Sequence, residues 1–146
     1  MDNILIKENE VWIRYFKKNV DYEIDEVGKW MFFFNSSDKL LKKYSELCKL
    51  AVLNGITDEV KISKPNKKYP KEVCIFYCNY NDIESHKKII KFMMDNNLID
   101  KTINGRYHNI PFKLDIQTLL DEYGNDFKAI LKLENFIDLN TGKFII

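Results

Sequence analysis

Two short runs, WMFFF (30–34) and VCIFYC (73–78), constrain this chain more than anything else in it. The first is crowded with aromatic residues and the second mixes aromatic with β-branched ones, and they read as strands over 29–34 and 72–80. Each is followed within a few residues by the chemistry that starts a helix. After the first comes NSS (35–37), whose side-chain oxygens can cap unsatisfied amides, and then Asp38, an acid where the helix dipole favours one. Leu40, Leu41, Tyr44, Leu47, Cys48 and Ala51 then recur at intervals of three and four, predicting an amphipathic helix that stops at Asn54-Gly55. After the second run, Asn81 or Asp82 caps another helix, with Ile83, Ile89, Ile90, Met93 and Met94 on its apolar stripe.

The rest of the chain fills in around these pairs. Residues 1–24 read as an edge strand or short helix, and EVKIS (59–63) alternates like a strand. KPNKKYPK (64–71), with two prolines and four lysines, is a surface loop, and 95–111 is loop-rich. FKLDIQTLLDEY (112–123) reads either as a helix capped by Asp115 or as a strand. FKAILKL (127–133) reads as a strand, and 136–146 as a hairpin around Asn140-Thr141-Gly142. Strands, helices and further strands predict an α+β domain over 1–146, with a mostly antiparallel sheet and two or three helices packed on one face. The other face is then partly open for binding.

Composition narrows the function classes. With 23 basic and 22 acidic residues the net charge is +1, without the basic excess expected of a duplex nucleic-acid binder. No apolar stretch approaches the roughly 20 residues of a membrane span. The start, MDNILIKENEVW, lacks the long apolar core of a signal peptide. Three cysteines without framework spacing suit a reducing cytoplasm. Abundant Lys, Asn and Ile, all with AT-rich codons, point to a bacterial or viral AT-rich genome.

Several familiar chemistries are disfavoured. On a strand, Cys74 and Cys78 lie about 13 Å apart at roughly 3.3 Å per residue, too far to share a zinc ion. All three cysteines therefore read as core residues, and neither a metal nor a cofactor is expected. Adjacent Ser85 and His86 diverge by about 100° on a helix, so they form no nucleophile–base pair. Neither a G-x-S-x-G elbow nor a glycine-rich phosphate loop occurs among the five glycines.

Anion-binding chemistry is better represented. NGRYHN (104–109) places Arg106, Tyr107 and His108 in one loop, where guanidinium and imidazole can clamp a phosphate. Lys61 and Ser63 share a strand face, as do Lys113 and Asp115 if that segment is extended. Arg14 and Arg106 are the only arginines, which makes each conspicuous.

These segments together resemble the basophilic-leukaemia-expressed-protein family, which carries the label of a phosphothreonine lyase domain. The resemblance rests on Gly28-Lys29-Trp30-Met31, Lys61-Ile62-Ser63, Phe76-Tyr77-Cys78 with Asp82, and Phe112-Lys113-Leu114-Asp115-Ile116-Gln117-Thr118. It departs from the family pattern at Leu114 and Cys78. It implies a fold like the mRNA cap-binding translation factor, a curved antiparallel sheet backed by helices with a concave ligand face. Gly28 would then let the chain turn into the sheet, with Lys29 and Trp30 alternating across it and Trp30 either core or pocket ring.

The leading expectation is a cytosolic, non-enzymatic protein that captures a small phosphorylated, nucleotide-like ligand. Lys29, Lys61, Ser63, Arg106, His108, Lys113 and, by the resemblance, Thr118 would hold the polar part, while Trp30, Tyr77 or Tyr107 would stack a ring. One alternative is a lyase that eliminates phosphate from phosphothreonine, with Lys61 or Lys113 as base, His108 as acid and Arg106 as clamp. Another is a protein-interaction module. The expected partner is a small ligand rather than duplex nucleic acid or a membrane, and a homo-oligomer is left open.

Overall fold

A computed structural model describes residues 4–20, 22–23, 25–66, 68–119 and 128–146, the last two residues before 120 by their backbone only. It shows an α+β fold. The strands are β1 (Ile4–Glu8), β2 (Trp12–Lys17), β3 (Val27–Asn35), β4 (Glu59–Ser63), β5 (Lys71–Asn79), β6 (Pro111–Leu114) and β7 (Leu131–Lys132). The helices are α1 (Asp38–Leu53), α2 (Ile83–Asp95) and α3 (Asp115–Leu119). The sheet runs β1-β2-β4-β5-β3-β6-β7 and is antiparallel. Among the described residues no helix is long and apolar enough to cross a membrane. The chain clusters into two compact units, Met1–Asp21 with Met31–Tyr77 and Tyr22–Trp30 with Cys78–Ile146.

In the first unit the N-terminal segment, expected as one strand or a short helix, is a hairpin of two strands. Asn9 makes its turn: Oδ1 accepts from the amides of Val11 and Trp12, both at 2.8 Å. β2 then pairs with β4, and α1 packs on both. α1 starts as its sequence demands, the Ser37 hydroxyl accepting from the Leu40 amide at 3.0 Å with Asp38 in the first turn. It buries Cys48, Ala51 and Val52. Within β3, Phe32 and Phe34 are buried against Tyr44, at ring distances of 5.1 and 5.0 Å, whereas Phe33 is 62% exposed. The apolar run thus obeys the period-two rule of a strand with only one face covered.

The second unit is organised around Trp30, which is 0% exposed. Phe112 and Phe136 flank its ring at 5.4 and 5.9 Å. Its Nε1–H donates to His86 Nδ1 at 2.9 Å, and His86 Nε2 lies 2.8 Å from the Tyr80 carbonyl. An Nδ1 that accepts leaves the proton on Nε2, so the imidazole is neutral and donates to Tyr80. α2 is capped by Asp82 and buries His86, Ile89, Ile90 and Met93. Ile83, the first residue of α2 and expected on the buried stripe, is 42% exposed.

Two further expectations are corrected here, and one left open is resolved. Gly28 makes no turn; it lies inside β3 opposite Leu114. A Cβ at Gly28 would fall 2.5 Å from Phe112 Cζ and 2.8 Å from the Lys113 carbonyl, so the need is for space rather than for a special backbone angle. The ambiguous segment from 112 is strand and helix in succession, with Asp115 opening α3 instead of continuing β6; its part beyond Leu119 lies outside the described residues. The expected strand at 127–133 is limited to Leu131–Lys132 among the described residues, and Phe127 lies outside them. The C-terminal hairpin is present as the Ile137↔Phe144 bridge, with Gly142 at φ 75°.

Two measurements check this packing. Gly28→Ala should lower unfolding free energy in urea by about 1–3 kcal/mol, the usual cost of overpacking a filled core. Burial holds the His86 pKa below its usual value, against the opposing pull of the Tyr80 carbonyl and Asp82. An unfolded chain therefore takes up a proton near pH 6.5 that the folded chain resists, so stability is full above that pH and declines as pH falls below it. Urea midpoints between pH 7.5 and 5.5 should show this decline, and His86→Gln should flatten it.

Candidate functional site

The candidate site is a hollow of about 400 Å³ in the first unit, lined by Lys7, Glu8, Asn9, Trp12, Arg14 and Lys61. Strand register builds it. Lys7 of β1 lies opposite Arg14 of β2, and Arg14 lies opposite Lys61 of β4. Residues directly opposite have Cβ atoms only about 5 Å apart, so three cations form one row across three strands. Their intervening neighbours Tyr15, Val60 and Ile62 are buried on the opposite face. Trp12 and Phe16 flank Arg14 at two-residue spacing and so share its face.

Rings hold the cations in place. Arg14 Cζ lies 3.8 Å from the centroid of Phe16, and Lys61 Nζ lies 4.3 Å from that of Trp12. Lys7 Nζ also approaches Phe16, at 5.9 Å. Arg14 Nε donates to Glu59 Oε2 at 2.6 Å, with the Glu59 side chain only 12% exposed. At the rim Lys64 pairs with Glu8 and donates to the Asn9 carbonyl at 3.0 Å. The lining thus carries Lys7, Arg14 and Lys61 beside Glu8, with Glu59 and Lys64 joined to it through the ion pairs to Arg14 and Glu8.

Of the residues singled out from sequence, Lys61 is in this hollow. Ser63 is one row further on, opposite Trp12, but is buried and committed: its hydroxyl donates to Glu72 at 2.9 Å and accepts from the Val73 amide at 2.8 Å. Tyr77 is 9% exposed, and its carbonyl accepts from the Thr57 hydroxyl at 2.6 Å. The other expected residues belong to the second unit. Lys29 and Lys113 face each other across β3 and β6, and Lys29 Nζ lies 3.0 Å from Asp115 Oδ1. Arg106 and His108 are exposed on a loop closed by the Lys101↔Tyr107 bridge, where the Lys101 ammonium covers the Tyr107 ring at 4.7 Å. Thr118 falls in α3, and its side chain lies outside the described residues. Trp30, entertained as a stacking ring, is a core residue.

Sequence reasoning missed Lys7, Trp12 and Arg14 as a group. The usable signal was Trp12-x-Arg14-x-Phe16, a period-two string. Tyr15 and Ile13 between them obscured it, because both faces of β2 then look apolar. Among the described residues no three or more His, Cys, Asp or Glu side chains cluster as a metal site. Cys78 Sγ comes within 3.6 Å of His86 Nδ1, but burial drives its thiol far above the usual pKa, with Asp82 adding to the shift, so no reactive thiolate forms. No family model matches the chain, and no curated protein matches it.

The two tryptophans should separate in solution. Acrylamide should quench Trp12 fluorescence and leave Trp30 shielded, so Trp12→Phe should remove the accessible component of a Stern–Volmer plot. Equal quenching in both proteins would contradict the assigned exposures.

Proposed function

We propose that this chain captures a small phosphorylated, ring-bearing ligand in the hollow formed by β1, β2 and β4. The observation that carries the reading is the Lys7–Arg14–Lys61 row beside the Trp12 ring. A phosphate would take the terminal N–H groups of Arg14, since Glu59 engages Nε, and the flanking ammoniums would add charge. A planar base would stack on Trp12, displacing Lys61 toward the phosphate. A volume of about 400 Å³ falls within the 300–1,000 Å³ range common for small-ligand sites. A net charge of +1 suits a local anionic site better than a groove for a long polyanion.

Calorimetry with adenosine and guanosine mono- and diphosphates tests this directly. Binding should be exothermic, weaken with salt, and fall at least about tenfold in Arg14→Ala or Lys61→Ala, the scale of one lost charge-assisted hydrogen bond. Trp12 emission should change on titration and Lys113→Ala should leave the affinity unaltered. Absence of binding at millimolar ligand would refute the reading, as would loss confined to Lys113→Ala, which would move the site to the second unit. Loss of phosphoric acid from a phosphothreonine peptide incubated with the protein would instead support the phosphate-eliminating alternative.

A further inference from the structure

Cys48 and Cys74 look like independent core residues in the sequence, one on a helix stripe and one in a strand. The fold brings them together in the first unit. Cys48 lies on α1 and Cys74 on β5, and their sulfur atoms are 3.1 Å apart. Both are sealed from solvent, at 1% and 0% exposure. The separation exceeds a disulfide bond, about 2.05 Å, by only about 1 Å, a shift within the reach of small side-chain rotations. Cys78, by contrast, has its sulfur beside His86.

We propose that Cys48 and Cys74 are a dedicated cross-linking pair, able to close a disulfide that ties α1 to β5 while Cys78 stays reduced. The bond would form by exchange with a small disulfide such as oxidised glutathione. One cysteine thiolate attacks a glutathione sulfur and releases one reduced glutathione. The second thiolate then attacks the protein sulfur of the mixed disulfide and releases another. Two protein thiols lose two protons and two electrons, and one glutathione disulfide becomes two thiols, so the exchange balances. Burial fits a slow latch rather than a rapid sensor: it keeps the Cys74 thiol well above its ordinary pKa, so attack waits for transient opening or for folding itself. Twenty-six positions separate the two residues, so closure removes a sizeable loop from the unfolded ensemble.

The test is oxidative refolding of the full chain in a glutathione buffer poised toward the disulfide. Wild-type protein should emerge about 2 Da lighter, the mass of two hydrogens, with a peptide map joining Cys48 to Cys74 and Cys78 labelled by iodoacetamide. Cys78→Ala should retain the cross-link and Cys48→Ala should abolish it. The oxidised protein should melt on the order of 10 °C higher than the reduced one. Refolded protein with native circular dichroism but three labelled thiols would overturn the proposal, as would a bond through Cys78 or a lone glutathione adduct. If refolding yields aggregate, native protein treated with diamide in urea below its unfolding transition gives the same readout. The same mass loss is expected there, and separate labelling of Cys48 and Cys74 would overturn the pairing.

Discussion

In an antiparallel pair a side chain has little choice of neighbour: register names the residue opposite, and the pleat names the face. This constraint does more to define the first unit than any single bond. Ile6 meets Tyr15, and Tyr15 meets Val60 in turn. Tyr15 and Val60 are buried on the side where α1 packs. The same register, read one residue along, sets Lys7 against Arg14 and Arg14 against Lys61. A slip of one residue would send the cations toward α1 and the apolar residues into water. The apolar face therefore fixes the charged one. Burial energy on one side of the sheet holds three like charges in a row on the other, an arrangement that those charges would not choose for themselves.

Buried polar groups supply the specificity that apolar packing lacks. Trp30 loses its access to water, and an indole N–H left without a partner would cost about 1–3 kcal/mol. His86 is the answer, and it must be neutral to give it, because an imidazolium has no lone pair to accept with. The other nitrogen reaches the Tyr80 carbonyl at the start of α2. One ring thus satisfies a strand side chain and a loop carbonyl together, and it links the placement of α2 to that of β3's first residues. Gly28 and Phe112 complete the same locus, since the aromatic ring occupies the space where a Cβ would be.

Local chemistry was legible in the sequence and long-range pairing was not. β4 coincides with the alternation in EVKIS, and α1 starts at the Ser37 cap that NSS announces. These are written within a few residues of one another. The N-terminal hairpin escaped because its strand β2 carries Trp12, Tyr15 and Phe16 on both faces, which hides the period-two pattern. The meaning of Gly28 depended on Phe112, 84 positions later, and no local rule reveals such a partner. Lys61 stood out as one lysine on a strand, yet its neighbours Arg14 and Lys7 are set by pairings that cross 47 and 7 positions respectively. The cysteines show the same thing. Cys48 and Cys74 were each read correctly as core, while their contact belongs to the packing of α1 on the sheet.

The cations of the hollow rest on rings, and that has a consequence for how it would meet an anion. An ammonium or guanidinium over an aromatic face keeps roughly 0.5–1 kcal/mol of attraction at a partly exposed site while remaining hydrated on its outer side. Arg14 is held by Phe16 and Glu59 together, so its fork is already oriented and loses little freedom on binding. Lys61 Nζ lies over the Trp12 ring, on the surface a stacked base would want. Entry of a planar anion would therefore exchange one cation–π contact for base stacking and a closer ionic contact. On the proposed reading, a ligand that brings a ring and a phosphate together would replace the Lys61–Trp12 contact with stacking on Trp12 and an ionic contact to Lys61.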